Sequence, residues 1–311
     1  MIRYLALRLA QALLTIFVTV TLVFLLIRLA PGDPAYAYAG PLATAEQLDA
    51  VREQFGLNQP LLLQYFHFLG GIFQGDTGTS YSFRQPALEV VMDRLPYTIT
   101  LAIAAIVIAI VVSIPLGVWM ARRQNTGREA AASMLTVAGQ SMPDFWIGIM
   151  LVTLFSVLLP WFPSSGFETW GGLVLPALTV AILQVAVLSR IVRREVAQTM
   201  QAPFITVARS RGVSGAGLVW GYGVRNSLVP VVTALGTRFA GMLNGVVVVE
   251  VVFGWPGVGS LVVRALETRD YPLIQSTVVV TAILAVLVQL VIDLIYPLLD
   301  PRVRLGRKVV S

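Results

Sequence analysis

The chain has 311 residues, of which 57% are apolar and only 12% charged. That is about half the charge of an ordinary soluble domain, so nearly all its surface must be hidden from water, and lipid is the solvent that fits. The net charge is +6, with 22 basic residues of which Lys308 is the only lysine, no Cys, and His67 as the only His. This excludes disulfide staples, thiolate zinc and iron–sulfur sites, a cysteine nucleophile and a multi-histidine metal centre. The arginines lie between apolar runs, which points to membrane topology rather than to nucleic acid.

The first apolar run, 9–29, follows Arg3 and Arg8. It is longer than the roughly 7–15 residues of a signal-peptide core, and Arg28-Leu29-Ala30-Pro31 follows it instead of a small-x-small site. Residues 1–30 are therefore expected to form an uncleaved first span. Residues 31–95 read as a small folded insert on the outer side. Thr44 with Gln47 predicts a capping box, Leu48, Val51 and Phe55 share one helical face, and Gly56 suits the helix end. A second helix is expected after Asn58-Gln59-Pro60, running towards Gly70-Gly71, and Gly75-Asp76-Thr77-Gly78 reads as a turn.

Residues 96–311 form the expected membrane core. Apolar runs at 97–121, 134–160, 172–190, 228–253 and 275–299 bring the spans to six. Each can cross about 30 Å of hydrocarbon at about 1.5 Å per residue. With the N-terminus inside, 15 of the 22 basic residues fall on the cytoplasmic side, and the short outer loops hold only Arg264 and Arg269. The expected fold is an all-α membrane protein with six transmembrane helices, both termini cytoplasmic, and an external helical insert between helices 1 and 2. The longest cytoplasmic stretch is 191–226. In it, Pro203 suits a helix start and Gly212 a helix stop, and Phe204, Val207, Ala208 and Arg211 repeat at helical spacing. Such an amphipathic helix either lies on the inner leaflet or binds a partner. The outer stretch 254–274 reads as a gate or docking loop, or as a plain interfacial helix.

Polar residues inside spans are candidates for a solute path, because a charge at mid-bilayer costs about 2.5–3.5 kcal/mol unless it meets a partner or water. The candidates are Gln140 and Asp144 in span three, and Arg238, Asn244 and Glu250 in span five. Asp144 and Arg238 each lie about ten residues in from the inner face, roughly 15 Å deep. They are expected to pair or to line one aqueous cavity; the alternative is that each meets a different partner. Pro143 is expected to kink span three beside Asp144. Gly241-x-x-x-Gly245 permits close helix approach, either to a partner subunit or within this chain.

No G-x-x-x-x-G-K-[ST] phosphate loop and no H-E-x-x-H occurs, and Gly212-Val213-Ser214-Gly215-Ala216 misses G-x-S-x-G at its last position. No catalytic residue, metal site or bound cofactor is therefore assigned to the chain. His67, between Phe66 and Phe68, reads as packed or solvent-facing.

The run Phe204-Ile205-Thr206-Val207-Ala208-Arg209-Ser210-Arg211-Gly212, followed by Arg225-Asn226-Ser227-Leu228-Val229-Pro230, resembles the cytoplasmic loop of bacterial binding-protein-dependent ABC transporter permeases. Thr206-Val207-Ala208 stands where that family has E-A-A, and the loop is longer than the general spacing. Both departures resemble the dipeptide/oligopeptide/nickel branch. So do Leu29-Ala30-Pro31-Gly32-Asp33-Pro34-Ala35, Gly75-Asp76-Thr77-Gly78, Val249 through Gly259, Arg269-Asp270-Tyr271-Pro272 and Asp293 through Arg302. The resemblance implies a permease subunit in the bacterial cytoplasmic (inner) membrane, forming half of a path for peptides or similar small solutes. It implies as partners a second homologous permease, two ABC ATPase subunits that carry the ATP and Mg, and an extracytoplasmic solute-binding protein. On this reading Pro203, Phe204, Val207, Ala208, Arg209, Arg211 and Gly212 form the ATPase-coupling helix. The competing reading is a stand-alone secondary transporter that uses Asp144, Arg238 and Glu250 as an ion relay; six spans without a visible repeat disfavour it.

Overall fold

Long apolar runs in lipid have one local solution, the helix, because it satisfies every backbone group within its own segment. The computed structural model follows that rule. It describes residues 2–29, 34–40, 42–167, 169–213 and 215–299, and their side chains except at 2–5, 34, 37, 229, 235, 237–241, 243–245 and 293–299. In chain order the helices are α1 (Ile2–Leu29), α2 (Pro34–Ala39), α3 (Ala45–Gln54), α4 (Leu61–Gln74), α5 (Ala87–Arg122), α6 (Gly127–Ser141), α7 (Asp144–Val152), α8 (Trp170–Met200), α9 (Pro203–Ser210), α10 (Arg225–Phe253), α11 (Val258–Glu267) and α12 (Tyr271–Leu299). π-Helical turns at Thr153–Leu158 and Gly217–Val224 extend α7 and lead into α10. No strand forms among the described residues.

Four of these helices, α1, α5, α8 and α12, are long and apolar enough to cross a membrane. Two bent pairs raise the number to six when each counts as one span: Gly127–Ser141 with Asp144–Leu158, and Val246–Phe253 with Val258–Glu267. The first pair departs from the expected continuous span at 134–160. It turns by 104° at Met142-Pro143, where Met142 takes an extended conformation. The proline cannot donate to the helix ladder and also drives the residue before it out of helical geometry, so the expected kink is a complete break. Helix α5 starts ten residues before the expected span, since the charges of Asp93 and Arg94 mask its first turns in a hydropathy reading.

The chain divides into two compact units. The first draws on residues up to Thr98 and on Pro256–Leu287. In α1, only a narrow stripe at Ala12, Val20 and Phe24 is buried, while Leu13, Leu14 and Phe17 stay exposed and suit lipid. Phe24 packs on Tyr65 and Phe68 of α4, with ring centroids 5.2 and 5.6 Å away, and the Thr21 and Tyr65 hydroxyls bond at 2.6 Å. The capping box at Thr44–Gln47 forms as expected, and Leu48 and Val51 are buried under it. Helix α4 runs past Gly70-Gly71 to Gln74 and closes on the left-handed Gly75. Its other face exposes Leu62, Phe66 and Phe73. An apolar surface of this kind needs lipid or protein cover.

The second unit draws on Ile99–Trp255 and on residues from Val288 onward. Helix α8 is its centre, buried on most sides through Leu175, Val180, Leu188, Val192 and Val196. Lipid is as apolar as leucine, so packing here rests on close fit rather than on escape from water. Gly117 of α5 shows how close: a Cβ there would lie 2.6 Å from the Ser189 carbonyl oxygen of α8.

Candidate functional site

The cytoplasmic helix α9 is short and fixed at every edge. Pro203 occupies its first turn, where no N–H is needed, and Ala202 enters in extended geometry. At the other end Gly212 takes φ +86°, a left-handed conformation that favours glycine. Its N–H donates to the Arg209 carbonyl (3.0 Å), and the Val213 N–H to the Ala208 carbonyl (3.2 Å), which closes a complete Schellman motif. Ile205 and Ala208 are buried against Leu218, with Met200 and Val213 packed around them. Phe204 and Val207 remain about half exposed, and Arg209 and Arg211 are exposed. The helical spacing puts Ala208 on one face with Phe204, Val207 and Arg211. The structure instead uses Ala208 as part of the helix's buried seat, because its angular position falls towards Ile205.

The cytoplasmic side also holds a polar tie between α6 and α8 that the sequence reading missed. Glu129 is buried, and its carboxylate meets Arg193 at 3.0 Å while accepting from the Ser133 hydroxyl at 2.8 Å. Thr126 caps the same turn by accepting from the Glu129 N–H. The signal was present as Thr126-Gly127-Arg128-Glu129, a capping-box pattern whose glutamate turns to Arg193. At the other end of α6, Arg190 of α8 hydrogen-bonds Gln140.

The described path candidates differ in exposure. Gln140 is exposed at the end of α6 and engaged by Arg190. Asp144 is half-buried in the first turn of α7, directly after the break at Pro143. Free N–H groups at a helix start favour a carboxylate, which accounts locally for a charge at this depth. Glu250 is fully buried within the chain and has an interaction of its own. The side chains of Arg238, Gly241, Asn244 and Gly245 lie outside the described residues, and with them the expected Asp144–Arg238 pair.

On the outer side, two motifs that are nearly 200 positions apart in sequence meet within the first unit. Asp270 is fully buried and caps α12 by accepting from the Leu273 N–H at 3.2 Å. It also accepts from the Ser80 hydroxyl (2.6 Å) and the Ser82 N–H (2.9 Å), fastening the loop after α4 to the start of α12. The Ser276 hydroxyl bonds that of Thr77 at 2.6 Å. Helix α11 lies against this assembly, with Val258, Leu261 and Ala265 buried beside Ala87, Val90, Val91 and Leu273. Tyr81 packs edge-on against Tyr38 and Phe55, and burial pushes its phenol well above the ordinary value.

Two family models match the chain. Binding-protein-dependent transport system inner membrane component matches residues 113–305, and the N-terminal model of the same membrane component matches residues 1–102. The glutathione transport system permease protein GsiC of Escherichia coli (strain K12) is 36% identical over 304 residues, covering 98% of this chain and 99% of that protein. Its counterpart in Salmonella choleraesuis (strain SC-B67) is 37% identical over the same length. Among solved structures, an amino acid ABC transporter with histidines matches with a TM-score of 0.50 at 18% identity, over 69% of this chain and 94% of that one; it supports the fold.

Proposed function

The chain belongs to the binding-protein-dependent transport system inner membrane components, and from that premise we propose that it couples to ATPase subunits through α9 and carries peptides or similar small solutes. It is a multi-pass inner-membrane permease subunit of an ABC importer and is not itself the catalytic component. Family membership sets aside the stand-alone secondary transporter. The solute class follows from the full-length likeness to glutathione permeases, glutathione being a small peptide. In the proposed assembly, this chain and a second homologous permease form the two halves of the path. Two ABC ATPase subunits bind ATP and Mg beneath them, and an extracytoplasmic solute-binding protein delivers the solute from outside.

The observation that carries the coupling role is the geometry of α9. A helix started by Pro203, closed by the Gly212 motif and seated on Leu218 resists fraying and rolling, yet it presents Phe204 and Val207 to solvent. Half-exposed aromatic and aliphatic side chains on a rigid base suit insertion into a groove of a partner, with Arg209 and Arg211 meeting acids at its rim. The test is co-purification from mild detergent with the co-expressed ATPase. Wild-type chain retains the ATPase, whereas Phe204→Asp loses it while the chain still elutes as a folded species. Retention by the Asp variant would move the contact away from α9.

A further inference from the structure

The first unit contains a cavity of about 440 Å³ on the outer side, within the range of small-molecule sites. Its lining includes Arg28 at the outer end of α1, Glu53 of α3, Gln64 of α4, and Asp76 and Tyr81 from the loop that Asp270 fastens. Both charge signs are therefore present. The Arg28 guanidinium lies over the Phe24 ring at 5.5 Å, and its Nε is buried without a hydrogen-bond acceptor among the described residues. Gln64 donates through Nε2 to the Leu57 and Gln59 carbonyls, which fixes its amide in the cavity wall. The Arg28 side chain thus gives the cavity a cationic wall, and Glu53 and Asp76 give it an anionic one. A ligand that answers both has an anionic group at one end and N–H groups at the other. An arginine fork fits a carboxylate in particular.

We propose that this cavity is an outer receiving site for a small zwitterionic solute of the amino-acid or short-peptide class. Arg28 takes its carboxylate, and Glu53 with Asp76 takes its ammonium group. The proposal rests on the importer reading and adds to it a solute contact on this chain, outside the membrane and separate from the solute-binding protein.

The test uses the full chain in lipid nanodiscs and follows binding by saturation-transfer NMR. The probes are Ala-Ala, its C-terminal amide and its N-acetyl form. Ala-Ala is expected to bind, the C-terminal amide about tenfold more weakly, and Arg28→Gln is expected to lose a similar factor, the size of one charge-assisted hydrogen bond. Glu53→Gln, on an exposed position, is expected to weaken Ala-Ala and leave N-acetyl-Ala-Ala unchanged. Equal binding of acid and amide by wild-type chain overturns the proposal without reliance on any variant. So does the absence of Ala-Ala binding to chain that still assembles with its ATPase, an outcome that leaves the importer reading intact. Failure of that assembly overturns the importer reading instead. If Arg28→Gln weakens docking of a solute-free binding protein while Ala-Ala binding is unchanged, the cavity receives an acidic side chain of that protein, and the solute proposal falls.

Discussion

Glu129 and Arg193 form a pair in which the acid is buried and the base about one-third exposed. Removing either partner leaves the other poorly compensated, so single substitutions cost more than loss of the pair as a whole. Glu129→Gln and Arg193→Gln should each lower the thermal midpoint in detergent. The double variant should lose less than the sum, with a coupling on the order of 1–2 kcal/mol; strict additivity would show that the contact contributes nothing. Tyr81 gives a pH signature. Its phenol is held above the unfolded value of about 10 by burial, so its contribution to stability is complete below that pH and is lost as pH rises through the folded value. Tyr81→Phe should flatten the alkaline loss of stability, measured by circular dichroism from pH 9 upward. At this scale the sequence was partly legible. The Thr44–Gln47 cap was readable because its partners are three residues apart. The bonds of Asp270 to Ser80 and Ser82 were not, since nothing local reports a partner nearly 200 residues away.

Helix α9 was legible as an element because a proline start, a glycine stop and an apolar repeat are all local signals. Which of its apolar residues face outward was not, since that depends on where Leu218 packs. Gly212→Ala tests the stop. A non-glycine residue at φ +86° costs about 1–2 kcal/mol, so the variant should show reduced ATPase co-purification with little change in expression. The break at Met142-Pro143 marks the limit of hydropathy as a guide. The run 134–160 is apolar enough to read as one span, but hydropathy is blind to backbone dihedrals. Proline chemistry supplied the location of the bend but not its size of 104°. Gly117 adds a packing constraint invisible in composition. Gly117→Leu would drive its side chain into the α8 backbone at Ser189 and should lower the thermal midpoint sharply.

For the whole molecule, charge placement carried most of the topology. Sparse charge, arginines on one side and six apolar stretches specify a membrane core before any coordinate is known. The path was least legible, because the depth of a polar residue leaves its rotation about the helix axis open. Asp144 and Glu250 show this: one is half-buried at a helix start and the other fully enclosed. The central claim is that α9 meets an ATPase inside the cell while the α3–α4 insert lies outside. The absence of native cysteine makes thiol mapping direct. Phe204→Cys and Asn58→Cys each place one thiol at an exposed position, and cells co-expressing the ATPase are treated with a short photoactivatable maleimide. The account predicts a covalent adduct with the ATPase from position 204 only, and labelling by a membrane-impermeant maleimide in intact, outer-membrane-permeabilised cells from position 58 only. ATPase capture from position 58, or none from position 204 in cells that still import solute, would contradict it.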